Sequence, residues 1–146
     1  MRAEESTVIA RKPVEVFATV SRVEDFGLFS SQYRGTRVLE QGGGRVVLER
    51  RAKVAGLPVR WVSEARIEEP SRVRIRQTEG PLKGMRTEWS VEPEGEGTRV
   101  RITHEFRLGR VLRPFEGLIY RSIIRKMARS MLMGVKAHME GRVGGK

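Results

Sequence analysis

Arg99-Val100-Arg101-Ile102-Thr103-His104-Glu105-Phe106-Arg107 alternates polar with apolar residues, and from Pro114 onward the apolar spacing lengthens to that of a helix. A period of two dries one face of a strand and wets the other. From Pro114 to Glu140, at 100° per residue, Tyr120, Ile123, Ile124, Met127, Met131, Gly134, Val135 and His138 share one side. Ser122, Arg125, Lys126, Arg129 and Lys136 share the other. Pro114 suits a first helical turn and Gly141 the residue after the last. Such a helix is roughly 40 Å long, and its apolar stripe needs a sheet to cover.

Upstream, the alternation recurs. Met85, Thr87, Trp89 and Val91 share one face of a strand, as do Val73, Ile75 and Gln77, and Val59, Trp61, Ser63, Ala65 and Ile67. Arg45 to Val54 and Tyr33 to Glu40 read as two more strands. The turns between them are short: Gly42-Gly43-Gly44, Ala55-Gly56, Glu69-Pro70-Ser71, Gly80-Pro81 and Glu92 to Gly97. Short connections imply antiparallel pairing. Glu5 to Arg11 is a first strand, and Pro13 opens a short helix carrying Val14, Val16, Phe17 and Val20. A second short helical stretch spans Val23 to Phe29, with Ser21 as its cap. The fold class is therefore α+β: a curved antiparallel sheet of about seven strands around a long C-terminal helix, with two short helices after the first strand.

The chain has 146 residues and reads as one domain, 1–146. It has no cysteine, which excludes disulfides and a thiol nucleophile. No run of about 18 apolar residues and no leader pattern occur, so the expected location is cytoplasmic. The formal net charge is +11, and arginine supplies 23 of the 29 basic residues. Asparagine is absent and aspartate occurs only at Asp25, a usage that leans towards a thermophile.

Most site chemistry is missing. Two histidines, His104 and His138, fall short of a metal set, and none is expected. A Ser-His-Asp arrangement would need Asp25, with no nucleophile-elbow motif near it. Gly42-Gly43-Gly44 lacks the Gly-Lys-Ser/Thr and the helix of a phosphate loop. No cofactor is expected. What stands out is polarity on faces that should be dry: Ser63, Gln77, Thr87 and His104 on strands, Arg50 beside Val46 and Leu48, and Tyr120 and His138 on the helix. Buried polar groups need partners. They bond to one another or to water, or they line a cavity that orients a ligand. Gly134 in the helix stripe points the same way, as a place where the helix leaves room.

The order of elements resembles the helix-grip fold of START lipid-transfer domains, birch-pollen-allergen-like proteins and aromatic polyketide cyclases (the SRPBCC superfamily). Pro13-Val14-Glu15-Val16-Phe17, Val38-Leu39-Glu40, Gly80-Pro81-Leu82-Lys83-Gly84 before Thr87-Glu88-Trp89, and Gly97-Thr98-Arg99-Val100 resemble its coenzyme Q-binding/polyketide cyclase branch. Phe26-Gly27-Leu28-Phe29 stands where that branch often carries Tyr-Pro or Trp-Pro. The resemblance implies a cavity between sheet and helix for a hydrophobic molecule such as a lipid, isoprenoid quinone or polyketide.

The expected ligand contacts are Trp61, Ser63, Gln77, Thr87, Trp89, His104, Tyr120, Ile124, Met127, Met131 and His138. The leading reading is a non-enzymatic carrier or chaperone. The alternative is a cyclase, aromatase or dehydratase with His104 or His138 as acid/base. A further alternative uses Arg72, Arg74, Arg76, Arg99 and Arg101 on one wet face to meet RNA, a ribosome or an anionic membrane. The bland reading of that face is a solvated surface partly neutralised by Glu64, Glu88 and Glu105.

Overall fold

Hairpin turns fix which strands become neighbours. The computed structural model describes residues 1–29, 33–54 and 56–141. Strands β1 (Arg2–Ile9), β2 (Tyr33–Gly42), β3 (Arg45–Val54), β4 (Leu57–Glu68), β5 (Arg72–Glu79), β6 (Arg86–Glu94) and β7 (Gly97–Glu105) form one sheet. Its order is β1-β7-β6-β5-β4-β3-β2, with every pair antiparallel. The chain meanders from β2 to β7, and β1 returns to the free side of β7. Gly43 and Gly44 make the β2–β3 turn with φ of +61° and +75°, which side chains disfavour. Of the expected Ala55-Gly56 turn, Ala55 lies outside the described residues.

Helix α1 (Pro13–Val20) and a 3-10 turn (Val23–Leu28) cross between the two sheet edges. Pro13 starts α1, and the Lys12 N–H donates to the Glu15 carboxylate. Ser21 does not cap the following turn. Its hydroxyl donates back to the Ala18 carbonyl, and Arg22 precedes the turn without a side-chain cap. Strand β1 also sits earlier than alternation indicates, because Arg2 to Ile9 pair with Glu105 to Thr98.

Register shifts at Tyr33/Gly35, Val38/Glu40 and Val62/Ser63 interrupt the ladders. Such bulges bend a strand and tighten its twist. At Val62–Ser63 both faces of β4 are buried, although its pairing with β3 runs on without a break. Val62 pairs with Glu49, itself buried among Arg37, Arg51 and Arg60.

The C-terminal element is not one uniform helix. A 3-10 turn (Arg113–Phe115) leads into α2 (Glu116–Ile119), a π turn (Tyr120–Ile124) and α3 (Arg125–Met139). Gly141 follows with φ of +75°. Leu132 and Val135 of α3 join Val16, Val20, Phe29, Trp89, Val100 and Ile102 in the main core. Each such side chain contributes roughly 1.5–3 kcal/mol by leaving water. A smaller cluster of Phe106, Leu108, Tyr120 and Ile124 sits at the other end. Among the described residues, no helix is long and apolar enough to cross a membrane.

Candidate functional site

The two ends of the helical segment meet the sheet differently. Gly134 lies so close to the Phe29 backbone that an added Cβ would sit 1.8 Å from the Phe29 carbonyl oxygen. The expectation that Gly134 marks a hollow is therefore corrected: it permits contact of helix on backbone. The hollow lies nearer the π turn. There a cavity of about 360 Å³ opens between Ile123, Ile124, Met127, Ala128 and Met131 and the concave faces of β3 to β7.

Pleating aims alternate residues at this space. From β4 to β7, Trp61, Ser63, Ile75, Gln77, Thr87, Trp89, Ile102 and His104 face it. Cross-strand pairing lines them up, Ser63 with Gln77, Ile75 with Thr87, and Thr87 with His104. Leu57 and Val59 on one side and Pro81, Leu82 and Met85 on another complete the wall. Nine of the expected contacts therefore surround one cavity: Trp61, Ser63, Gln77, Thr87, Trp89, His104, Ile124, Met127 and Met131.

Tyr120 and His138 are not among its lining residues. Tyr120 is buried, but its hydroxyl donates to Glu5 at 2.7 Å. His138 is exposed on the last turn of α3, edge-on to Phe29 with ring centroids 5.2 Å apart. The stripe that carries His138 is real, but the helix outruns the cavity by two turns.

The polar lining is sparse and differentiated. Thr87 Oγ1 and His104 Nδ1 lie 2.9 Å apart. Burial lowers the His104 pKa to about 4, with the Glu5 charge opposing it weakly, so the imidazole is neutral at neutral pH. Gln77 Oε1 accepts the Leu82 N–H at 2.8 Å and braces the β5–β6 loop. Arg50 was not among the expected contacts, although alternation placed it on the dry face. It is buried, lines the cavity, donates to Val23 O and Thr36 Oγ1, and lies 5.0 Å over the Phe26 ring. The signal was an arginine among Val46, Leu48 and Ala52.

Behind the wall, burial raises the Glu5 carboxyl, but hydrogen bonds from Tyr120 and Arg129 and the Arg129 and Arg125 charges outweigh it and hold it below its usual range. Burial and the bond to Glu5 push Tyr120 up to about 12. Among the described residues, no three His, Asp or Glu side chains could hold a metal ion.

The outer face is a lattice of ion pairs. Arg72 and Arg74 meet Glu88, Arg74 also meets Glu68, Arg99 meets Glu94, and Arg101 meets Glu4 and Glu92. Arg76 acts on Glu64 at longer range. This arrangement fits the solvated-surface reading.

Comparisons with known proteins bear on the family and the fold. The family model described as polyketide cyclase/dehydrase and lipid transport matches residues 9–134. A curated relative, the actinorhodin polyketide synthase bifunctional cyclase/dehydratase of Streptomyces coelicolor, is 32% identical over 94 residues, 62% of this chain. The match covers 30% of that protein's length. Among solved structures, TTHA0849 of Thermus thermophilus aligns with a TM-score of 0.81 at 24% identity, over 99% of this chain and 100% of that one. The ZhuI aromatase/cyclase of Streptomyces sp. R1128 aligns with a TM-score of 0.85 at 21% identity, over 99% and 96%. At these identities the two structures speak for the fold.

Proposed function

The chain belongs to the polyketide cyclase/dehydrase and lipid transport family, and from that premise we propose that it binds a hydrophobic, oxygen-bearing small molecule and promotes its ring closure or dehydration. The observation that carries this reading is the neutral His104–Thr87 pair facing an otherwise apolar cavity.

Apolar walls draw the carbon skeleton out of water at roughly 25 cal/mol per Å². A few polar groups then fix its orientation. Arg50 on β3 and His104 on β7 are four strand spacings apart, roughly 19 Å along the sheet before curvature. They suit an extended chain held at two points, with Arg50 taking a carbonyl or carboxylate and His104 facing the reacting carbons.

A base at His104 Nε2 requires the proton on Nδ1, donated to Thr87 Oγ1. Nε2 would take a proton from a carbon between two carbonyls. The enolate carbon bonds to a second ketone carbon, and the proton passes to the new alkoxide. Loss of that hydroxyl with a neighbouring hydrogen releases water. A pKa near 4 leaves almost no imidazolium at neutral pH, so His104 enters the reaction as the neutral base and acts as an acid only with the proton it has just taken.

The test uses a synthetic poly-β-ketone thioester and follows aromatic product by absorbance and mass. His104→Ala should lower turnover by about 100-fold or more. Retention of a non-cyclising analogue should fall only about tenfold, the worth of one hydrogen bond. Retention of the analogue without turnover by the parent would return the protein to the carrier reading. Full turnover by His104→Ala would remove His104 from the chemistry.

A further inference from the structure

Between β7 and the π turn the chain displays what a folded surface usually hides. Val111 is 83% exposed, and Leu112, Phe115 and Leu118 are each more than half exposed. Arg107, Arg110, Arg113 and Arg121 flank and intersperse them along the chain and are exposed as well. From Leu108 to Arg121 the only acid is Glu116. Its carboxylate faces inward, accepting the Leu108 N–H at 2.8 Å and lying 3.8 Å from the N-terminal ammonium. The outward face is left apolar and cationic.

The segment is a built turn. The Leu112 and Arg113 N–H groups both donate to the Gly109 carbonyl, at 3.0 and 2.9 Å, and Phe115 N–H donates to Leu112. Arg110 and Val111 therefore stand at the tip of a closed loop. The loop adjoins the cavity rim, because Ile119, just after it, packs against the same buried cluster of Phe106, Leu108, Tyr120 and Ile124 as Leu82 and Met85 do, and Ile124, Leu82 and Met85 line the cavity.

We propose that the Gly109–Leu118 segment, with its flanking arginines, is a docking surface for anionic lipid bilayers, placed where a hydrophobic molecule could pass between membrane and cavity. Exposed apolar side chains interspersed with exposed arginines match the layering of a bilayer, hydrocarbon beneath phosphate. A protein partner would more often offer a pocket to a central anchor; this surface is a tip. The proposal holds whether the cavity's occupant is converted or carried. The paired arginines of the outer sheet face are not needed for it.

Flotation with vesicles of phosphatidylcholine, alone or mixed with phosphatidylglycerol, tests it. The parent should float with the mixed vesicles and not with phosphatidylcholine alone. Val111→Ser with Leu112→Ser should lower partition at least tenfold. Arg110→Gln with Arg113→Gln should lower it about fivefold per arginine, from about 1 kcal/mol each. Arg72→Gln with Arg74→Gln should leave it unchanged. Circular dichroism of each variant separates lost docking from lost fold. Failure of the parent to float, equal flotation on neutral vesicles, or a serine variant that floats like the parent overturns the proposal. Capture by soluble polyglutamate without vesicle binding overturns it in favour of an acidic protein partner.

Discussion

The far half of the helical segment is welded to its neighbours, while the near half stands off them. In the far half, Gly134 lies on the Phe29 backbone and Leu132 and Val135 are almost fully buried. In the near half, Ile123, Ile124 and Met127 look into the cavity, and the backbone there winds as a π turn. An extra residue per turn shifts the side chains that follow. One amphipathic stripe thus serves two purposes, with packing where residues are small or well matched and a void where they are long and the sheet curves away. The closest backbone approach lies at one end and the candidate site at the other.

The largest test of this contrast is a pair of single changes. Gly134→Ala puts a carbon into the Phe29 carbonyl, and no flexible side chain can give way. A loss of about 3 kcal/mol or more is expected, beyond ordinary overpacking. Met127→Ala removes atoms that already border a void, so its cost should fall below the usual 2–5 kcal/mol for a buried methionine, at about 1 kcal/mol. Urea unfolding of both variants decides the matter. The reverse ranking would mean that the cavity closes in solution.

Much of this was legible in the sequence, and the failures have physical causes. Period-two alternation fixes strands and faces because pleating admits no other register, and it brought Ser63, Gln77, Thr87 and His104 to one wall. It did not show that Val62, on the opposite face from Ser63, is buried as well, since its cover comes from Glu49 on the neighbouring strand. Helical spacing told that Tyr120 and His138 share a stripe with Met127 and Met131, but not where along the axis the void ends. Tyr120 found its partner in Glu5, 115 residues away, a pairing that only the fold creates. Gly134 carries no side chain, so a gap and a tight approach look alike in sequence.

A second test reads how dry the near half is. The folded His104 pKa is about 4 against an ordinary value of 6.5. Between these values the unfolded chain binds a proton that the folded chain refuses. This contribution is therefore full above about pH 6.5 and is lost as pH falls towards 4. At about 1.4 kcal/mol per unit, up to about 3 kcal/mol disappears across the window. Glu5, whose pKa is lowered, acts in the same direction below its ordinary value of 4.5. His104→Gln should flatten the upper window and keep the lower. A parent whose stability is level from pH 6.5 to 4.5 would show a cavity wet enough to hold an imidazolium.

The smallest effect concerns what holds the near half in place besides its cluster with Phe106 and Leu108. There the π turn is tied to β1 by the Tyr120 hydroxyl on Glu5, and Arg129 reaches the same carboxylate at 3.0 Å. Tyr120→Phe removes one donor but does not orphan the acid, because Arg129 and Arg125 still face it. The expected cost is therefore about 1 kcal/mol, the ordinary net worth of one hydrogen bond rather than that of a stranded buried charge. Hydrogen exchange should locate the effect, with faster exchange in the π turn and unchanged exchange around Leu132 and Val135, since local opening follows local contacts. A uniform rise along both halves would mean that the helical segment opens as one unit, and that its two ends differ in shape but not in stability.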